Sequence, residues 1–260
     1  MLKARRLARI IEILREDRFA SLAEIAEKLG TSVSTVRRDV DHLASIGPVT
    51  RTHGGAMLNP TETLSFEPSN EIASEIEADA KAAIGHHAAR YIASGQTVLF
   101  DSGTTTREVA RAALVRNTNF TAFTNDVIIA SLLSSSDRIT VHVFHGRMRP
   151  GSATLLGAET VTDIGRIRAD ILFLGTHAGT VDGLSDTSTE LAAIKRAFIS
   201  AAETKILVAD RTKFPKRSLC LFATLSEMDR IIIDAGIDAG VAKDLSELTR
   251  DFELAREDGE

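Results

Sequence analysis

Ser32-Val-Ser-Thr-Val-Arg-Arg-Asp-Val40, followed by Val49-Thr-Arg-Thr-His-Gly-Gly-Ala56, decides the reading of the N-terminal part of this chain. Val33, Val36, Val40 and Leu43 recur at helical spacing and define one apolar face. At about 100° per residue, Ser34 and Arg38 then point away from that face, with Thr35 and Arg37 on its flanks. Small hydroxyls and arginines on the outer face of a helix suit the major groove. An arginine binds guanine O6 and N7 in a bidentate way, and hydroxyls reach bases or phosphates. Thr31 and Ser32 are placed to cap this helix.

Working outward, Leu7, Ile10, Ile11 and Leu14 predict an amphipathic helix over residues 5–15. Ser21-Leu-Ala-Glu24 is a capping box for a second helix with Leu22, Ile25, Ala26 and Leu29 on one face, stopped by Gly30. Helix, tight turn and recognition helix make a helix-turn-helix. After Gly47-Pro48, Val49–Arg51 and Ala56–Leu58 are expected to pair as a hairpin, with Gly54 and Gly55 supplying positive φ. Arg51 and His53 fall on this wing, near phosphate. Three amphipathic helices alone would equally suit a packing or dimerisation module. The hydroxyl and arginine face together with the Gly-Gly wing favours DNA. The candidate DNA-binding residues are Ser32, Ser34, Thr35, Arg37, Arg38, Arg51 and His53.

Charge agrees once it is divided. Residues 1–57 hold ten Lys and Arg against seven Asp and Glu, and the remainder holds 21 against 29, so a basic head precedes an acidic body. The length of 260 residues allows two domains. The single cysteine, Cys220, forms no internal disulfide, and neither an apolar run of membrane-spanning length nor a signal-peptide pattern is present. A cytoplasmic protein without membrane contact is expected.

Residues 59–78 read as a linker between a DNA-binding domain over 1–58 and a larger α/β domain over 79–260. Pro60 and Pro68 lie in it, and Glu71, Glu75, Glu77 and Asp79 lead into a helix running to about Ile92. Beyond it, short apolar runs alternate with helical patterns. The runs are 97–100, 120–123, 139–144, 171–174, 206–209 and 231–233, and the helices include 108–114, 127–133 and 191–202. Buried β-branched runs between helices predict a mainly parallel sheet covered on both faces. Leu245–Arg256 reads as a charged helix.

In such a sheet, ligands bind at the carboxyl ends of the strands. The five segments that follow the first five runs supply the candidate effector-binding residues: Asp101, Ser102, Gly103, Thr104, Thr105 and Thr106; Thr124 and Asn125; His145, Gly146 and Arg147; Gly175 and His177; and Lys213. Gly103, the hydroxyl run and the start of the following helix make an anion site, so a phosphate is expected there, with Lys213 across the crevice. Asp101 would repel an anion and is assigned to sugar hydroxyls or to ordering its loop. These hydroxyls also make ordinary helix caps. No cofactor and no metal are expected. His86 and His87 are adjacent and read as surface residues, His142 and His145 face opposite ways, and neither zinc spacing nor a nucleotide-binding glycine motif occurs.

Thr35-Val-Arg-Arg-Asp-Val40, with Leu43, Gly47, Val49, Arg51 and His53-Gly-Gly-Ala56, resembles the signature of the DeoR family of bacterial transcription regulators. Asp101-Ser-Gly-Thr-Thr-Thr106, Thr124-Asn125 and Ala209-Asp-Arg-Thr-Lys213 resemble its effector domain. The resemblance implies a winged helix-turn-helix joined to a sugar-phosphate sensor similar in fold to ribose-5-phosphate isomerase, usually in a repressor of carbohydrate metabolism. It departs in the linker, where Ser69 follows Phe66 in place of an arginine. The expected partners are an operator duplex, a phosphorylated sugar or related metabolite, and further copies of this chain, since a DNA repeat calls for symmetry. The alternative is a sugar-phosphate isomerase with a DNA-binding head. Aldose–ketose isomerisation needs a carboxylate base. The isomerase's acidic loop is here the neutral Leu174-Gly-Thr-His-Ala178, which leaves His177, with Glu190 on the next helix as its remaining acidic partner. Binding without turnover is therefore expected.

Overall fold

The computed structural model describes residues 1–59 and 67–256, so Phe66 lies outside the described residues. The chain divides into two compact units, Met1–Ile76 and Glu77–Glu260.

The first unit runs α1 (Lys3–Asp17), β1 (Phe19–Ser21), α2 (Leu22–Leu29), α3 (Val33–Ser45), β2 (Val49–Thr52), β3 (Gly55–Leu58) and α4 (Asn70–Glu75). The apolar stripe of α1 meets Ile25, Val36, Val40, Leu43, Val49 and Ala56 in one core. The capping box starts α2 as expected, with the Ser21 hydroxyl accepting from Glu24 N and the Glu24 carboxylate accepting from Ser21 N at 2.7 Å. Val33, expected on the buried face of α3, is exposed; as the first helical residue it precedes the part of α3 that packs. Asp39, which the apolar pattern did not include, is buried beside Arg6 of α1.

The wing pairs Val49 with Leu58 through Thr52 with Gly55, around a turn at His53 and Gly54. Only Gly54 has positive φ there, 82°. Gly55 is needed for a different reason. A third strand, β1, pairs with β3 and passes so close that a Cβ on Gly55 would lie 2.5 Å from the Ala20 carbonyl oxygen and 2.8 Å from the Phe19 ring. Three residues are too short a stretch to show β alternation, so β1 had no signal in the sequence.

Residues 70–75, expected within the linker, form α4, and Ile72 and the following Ile76 are buried in the core of the first unit. The helix expected after the acidic lead-in to run to about Ile92 starts at Ala78 and ends at Ala89, and Glu77, at a φ of 51° that no helix continues through, separates it from α4.

The second unit continues with α5 (Ala78–Ala89), β4 (Thr97–Phe100), α6 (Thr104–Val115), β5 (Phe120–Thr124), α7 (Val127–Leu133), β6 (Ile139–Val143), β7 (Arg147–Met148), β8 (Leu155–Leu156) and α8 (Ala158–Ile164). Next come β9 (Ala169–Leu174), β10 (Ala178–Thr180), β11 (Gly183–Asp186), α9 (Thr189–Ala201), β12 (Ala202–Ala209), β13 (Cys220–Ala223), β14 (Arg230–Asp234), α10 (Ala239–Leu248) and β15 (Phe252–Ala255). All six apolar runs are strands of one seven-stranded parallel sheet, ordered β15-β14-β12-β9-β4-β5-β6. Alternate residues feed two cores. Val98, Phe100, Ile171, Phe173, Ile206 and Val208 face α5, α6 and α7, and Leu99, Leu172, Leu174 and Leu207 face α8, α9 and α10.

Two elements differ from expectation. The charged helix predicted at Leu245–Arg256 ends at Leu248, and 252–255 become the edge strand β15, where Phe252 joins one core and Ala255 the other. His87, expected at the surface, is half-buried against that strand, with Nε2 2.5 Å from Glu253. Tyr91 donates to the same carboxylate at 2.6 Å, and Arg230 pairs with it.

The chain runs outward from β4 to β5 and β6, then returns to place β9 on the other side of β4 and runs outward again. The strand order therefore reverses between β4 and β9, and their carboxyl ends open the crevice that such a reversal creates.

The close pass of β1 gives the first prediction. Gly55→Ala should destabilise the first unit by about 1–3 kcal/mol through overpacking. Urea denaturation would measure it, and an unchanged midpoint would mean that β1 does not lie against the wing.

Candidate functional site

On the first unit, the expected DNA-facing residues cluster on α3 and the wing. Ser32 is the N-cap of α3, with its hydroxyl accepting from Thr35 N at 3.2 Å. The Ser34 and Thr35 hydroxyls each lie 2.9 Å from that of Ser32. Ser34, Arg37 and Arg38 are exposed, Thr35 is half-buried, and His53 is exposed at the wing's turn. Arg51 is exposed too, but its Nη1 lies 2.6 Å from Asp41 Oδ1. Asp39, between the outward arginines and the core, accepts from Arg6 Nε at 2.5 Å and Nη2 at 3.2 Å. This bidentate pair fixes the rotation of α3 on α1, and with it the direction in which Arg38 points. The hydrogen bond to Asp39 raises the Arg6 guanidinium above its ordinary value.

On the second unit, the centre of the crevice is a buried cluster that sequence reading did not assemble. Asp101, directly after β4, accepts from Gly175 N, directly after β9, at 3.1 Å. Lys195 Nζ, from α9, donates to Asp101 Oδ2 at 2.5 Å and to the Gly175 carbonyl at 2.9 Å, and lies 3.4 Å from Asp186 Oδ2 of β11. All three charged side chains are buried. Burial opposes charge on Lys195, but Asp101 and Asp186 together outweigh it and hold the ammonium above its ordinary value. Burial also pushes the Asp101 carboxyl up, against the pull of Lys195. With two carboxylates against one ammonium, the charged lysine is the state we assign. Lys195 was legible in one respect: it interrupts the apolar stripe Leu191, Ile194, Phe198 of α9. Its partners, 94 residues away at Asp101 and in the small sheet β10-β11-β13, carry no comparable mark.

The loop after β4 keeps only part of its expected hydroxyl run. Ser102, Gly103 and Thr104 are partly exposed, whereas Thr105 and Thr106 are buried and Thr106 donates to the Gly103 carbonyl at 2.8 Å. Gly103, at φ 148°, is the N-cap of α6 and supplies no side chain to its amides. The start of α6 is thus open to an anion. Thr124 is also turned inward, its hydroxyl accepting from Asp126 N at 3.0 Å. Asn125 is fully buried. Its Nδ2 donates to the Leu155 carbonyl at 3.2 Å, while Oδ1 has no hydrogen-bond partner. Asp126, which sequence reading passed over, caps α7 and holds buried Arg107 at 2.8 Å.

The remaining candidates sit at the rim. His145 is exposed, with Nδ1 2.7 Å from Asp163. Gly146 lets its loop pass α8, where a Cβ would meet the Thr160 hydroxyl at 2.6 Å. Arg147 lies 3.5 Å from Glu190, so the carboxylate considered as a partner for His177 is engaged by an arginine. His177 is half-buried, and Lys213 is half-buried in the short turn Arg211–Lys213 that follows β12. In the same turn Arg211 reaches Glu77 at 2.9 Å and Asp234 at 2.8 Å. Among the described residues, no group of three or more His, Cys, Asp or Glu is placed to hold a metal ion, and no helix is long and apolar enough to cross a membrane.

Comparison with known proteins accounts for both units. The DeoR-like helix-turn-helix domain matches residues 6–62, and the DeoR C terminal sensor domain matches residues 76–235. The HTH-type transcriptional regulator GlpR of Haloferax volcanii is 34% identical over 240 residues, 92% of this chain and 92% of that protein. The transcriptional repressor AccR of Agrobacterium fabrum is 34% identical over 233 residues, 89% of each. Among solved structures, ribose 5-phosphate isomerase A of Methanocaldococcus jannaschii overlays with a TM-score of 0.37 and 14% identity, covering 53% of this chain and 54% of that one.

Breaking the buried cluster gives the second prediction. Lys195→Met leaves two like charges buried without a counter-ion, which costs about 3–5 kcal/mol. Adding Asp101→Asn should recover part of that loss. Thermal unfolding of the second unit would show it, and equal melting of Lys195→Met and the native chain would refute the assignment.

Proposed function

The chain belongs to the DeoR family of transcription regulators, and from that premise we propose that its second unit senses a phosphorylated sugar or related metabolite, most simply to release a repressor from its operator. The observation that carries this reading is the open N-terminus of α6 at the strand-order reversal. Gly103 leaves the first amides of α6 without a side-chain cap, beside the partly exposed Ser102 and Thr104. A phosphate suits free amides at a helix start. The unpartnered Oδ1 of Asn125, in the loop after the neighbouring strand β5, supports a polar ligand.

Asp101 is committed to Lys195 and Gly175, which supports the role of ordering the loop over that of meeting the ligand. Lys213 is the candidate for a second positive contact to phosphate. In the first unit, Ser34, Arg37 and Arg38 are the candidates for the groove, with Arg51 and His53 at the backbone. Binding occurs without turnover, because the loop after β9 is neutral and both nearby buried aspartates are held by Lys195. The regulator works in the cytoplasm as a homo-oligomer, which an operator repeat demands.

A thermal-shift screen of sugar phosphates against their unphosphorylated parents tests the site. A native-state ligand at a hundred times its Kd stabilises by about 2.7 kcal/mol. A phosphorylated compound should raise the melting temperature where its parent does not. The shift should shrink in Lys213→Ala and in Ser102→Ala/Thr104→Val. Shifts unaffected by both variants would place the phosphate elsewhere. Sustained conversion of an aldose phosphate by the purified chain would overturn the sensor reading.

A further inference from the structure

Ser34, Arg38, Asp41 and Ser45 follow one another along α3 at intervals of four, three and four residues, so they share the face opposite the buried Val36, Val40 and Leu43. An aspartate therefore stands on the face that carries the groove-reading candidates. Its Oδ1 lies 2.6 Å from Arg51 Nη1, on the wing strand β2. That oxygen is shielded from solvent and makes no aligned hydrogen bond, so the contact is a charge pair. Both side chains are roughly half-exposed, 56% for Arg51 and 42% for Asp41.

We propose that Asp41 is an affinity-determining residue: it competes with the DNA backbone for Arg51 and so sets how much of that arginine's charge a duplex receives. The inference rests on the reading of α3 and the wing as the DNA face. A free surface arginine that neutralises one phosphate releases about one counterion and adds about 0.9 to the salt slope. An arginine already neutralised by Asp41 contributes less. It either stays with Asp41, or moves to phosphate and strands a carboxylate that takes up a cation. An aspartate on this face has one other use, accepting from cytosine N4. Its geometry disfavours that use, because the nearer oxygen is the shielded one facing Arg51.

The experiment uses the full chain and two 30-base-pair duplexes, one of random sequence and one selected from a random pool by the native protein. Fluorescence anisotropy between 50 and 300 mM NaCl gives affinity and salt slope. Asp41→Asn should bind both duplexes about three- to tenfold tighter at 100 mM salt, with a slope steeper by about one. Asp41→Glu, which keeps the charge, should resemble the native chain. In an Arg51→Ala background, Asp41→Asn should leave the slope unchanged. If Arg51→Ala leaves the slope unchanged even in the Asp41→Asn background, where the arginine is free, the wing is not a phosphate contact and the underlying reading of the face fails. If Arg51→Ala flattens the slope but Asp41→Asn does nothing, or acts equally without Arg51, the competition is refuted. Weaker binding of Asp41→Asn to the selected duplex alone, with a changed base preference, would make Asp41 a base reader instead.

Discussion

The ammonium of Lys195 is the point on which the second unit's crevice depends. It reaches the loop after β4 through Asp101, the loop after β9 through the Gly175 carbonyl, and the strand β11 through Asp186. Those three segments come from opposite sides of the strand-order reversal, and no backbone hydrogen bond of the sheet joins all of them. A buried lysine is costly to desolvate, and a well-packed apolar replacement of the whole cluster would often be at least as stable. What the cluster supplies is geometry. Asp101 is drawn down onto Lys195 and Gly175, away from the opening, and the glycine turn that follows presents the amides of α6 outward.

The first unit solves a related problem with two aspartates of α3 only two residues apart. Asp39 faces inward and grips Arg6 in a bidentate, part-buried pair. Asp41 faces outward and meets Arg51 in a half-exposed one. A pair shielded from water is little affected by salt, whereas an exposed one weakens as ionic strength rises. The inner aspartate therefore sets where the helix points, and the outer one only modulates charge on its surface.

Much of this was legible in the sequence. The six apolar runs are long enough and bounded clearly enough to be strands, and their continuous apolar character matches a sheet covered on both faces. The capping box at Ser21 and the two-strand wing also follow from local chemistry. What escaped was non-local or short. Strands β1, β10, β11 and β13 have three or four residues each and exist because a neighbour supplies hydrogen bonds. Gly55 looked like a turn residue until the Phe19 strand was seen to lie against it. The loop after β4 was legible as a polar segment at the end of a strand, but which of its hydroxyls stay exposed was not. Thr105 and Thr106 are chemically identical to Thr104 and differ only in where the first turn of α6 points them. Lys195 was visible as an anomaly on an apolar stripe, but Asp101 lies 94 residues away, and Asp186, though near in sequence, carries no periodic mark that pairs it with the lysine.

The position of β15 bears on how the molecule is made. A ribosome releases the first unit, complete by Ile76, long before residues 252–255 exist. Until then β14 has a bare edge, and Tyr91, His87 and Arg230 lack the carboxylate of Glu253 that later joins them. Vectorial synthesis thus produces a folded DNA-binding head ahead of a sheet that still lacks one side. An exposed strand edge invites pairing with other chains, and short or charged edge strands discourage it. Docking of β15 therefore trades an apolar edge, Ile231–Ile233, for a four-residue one that carries Glu253.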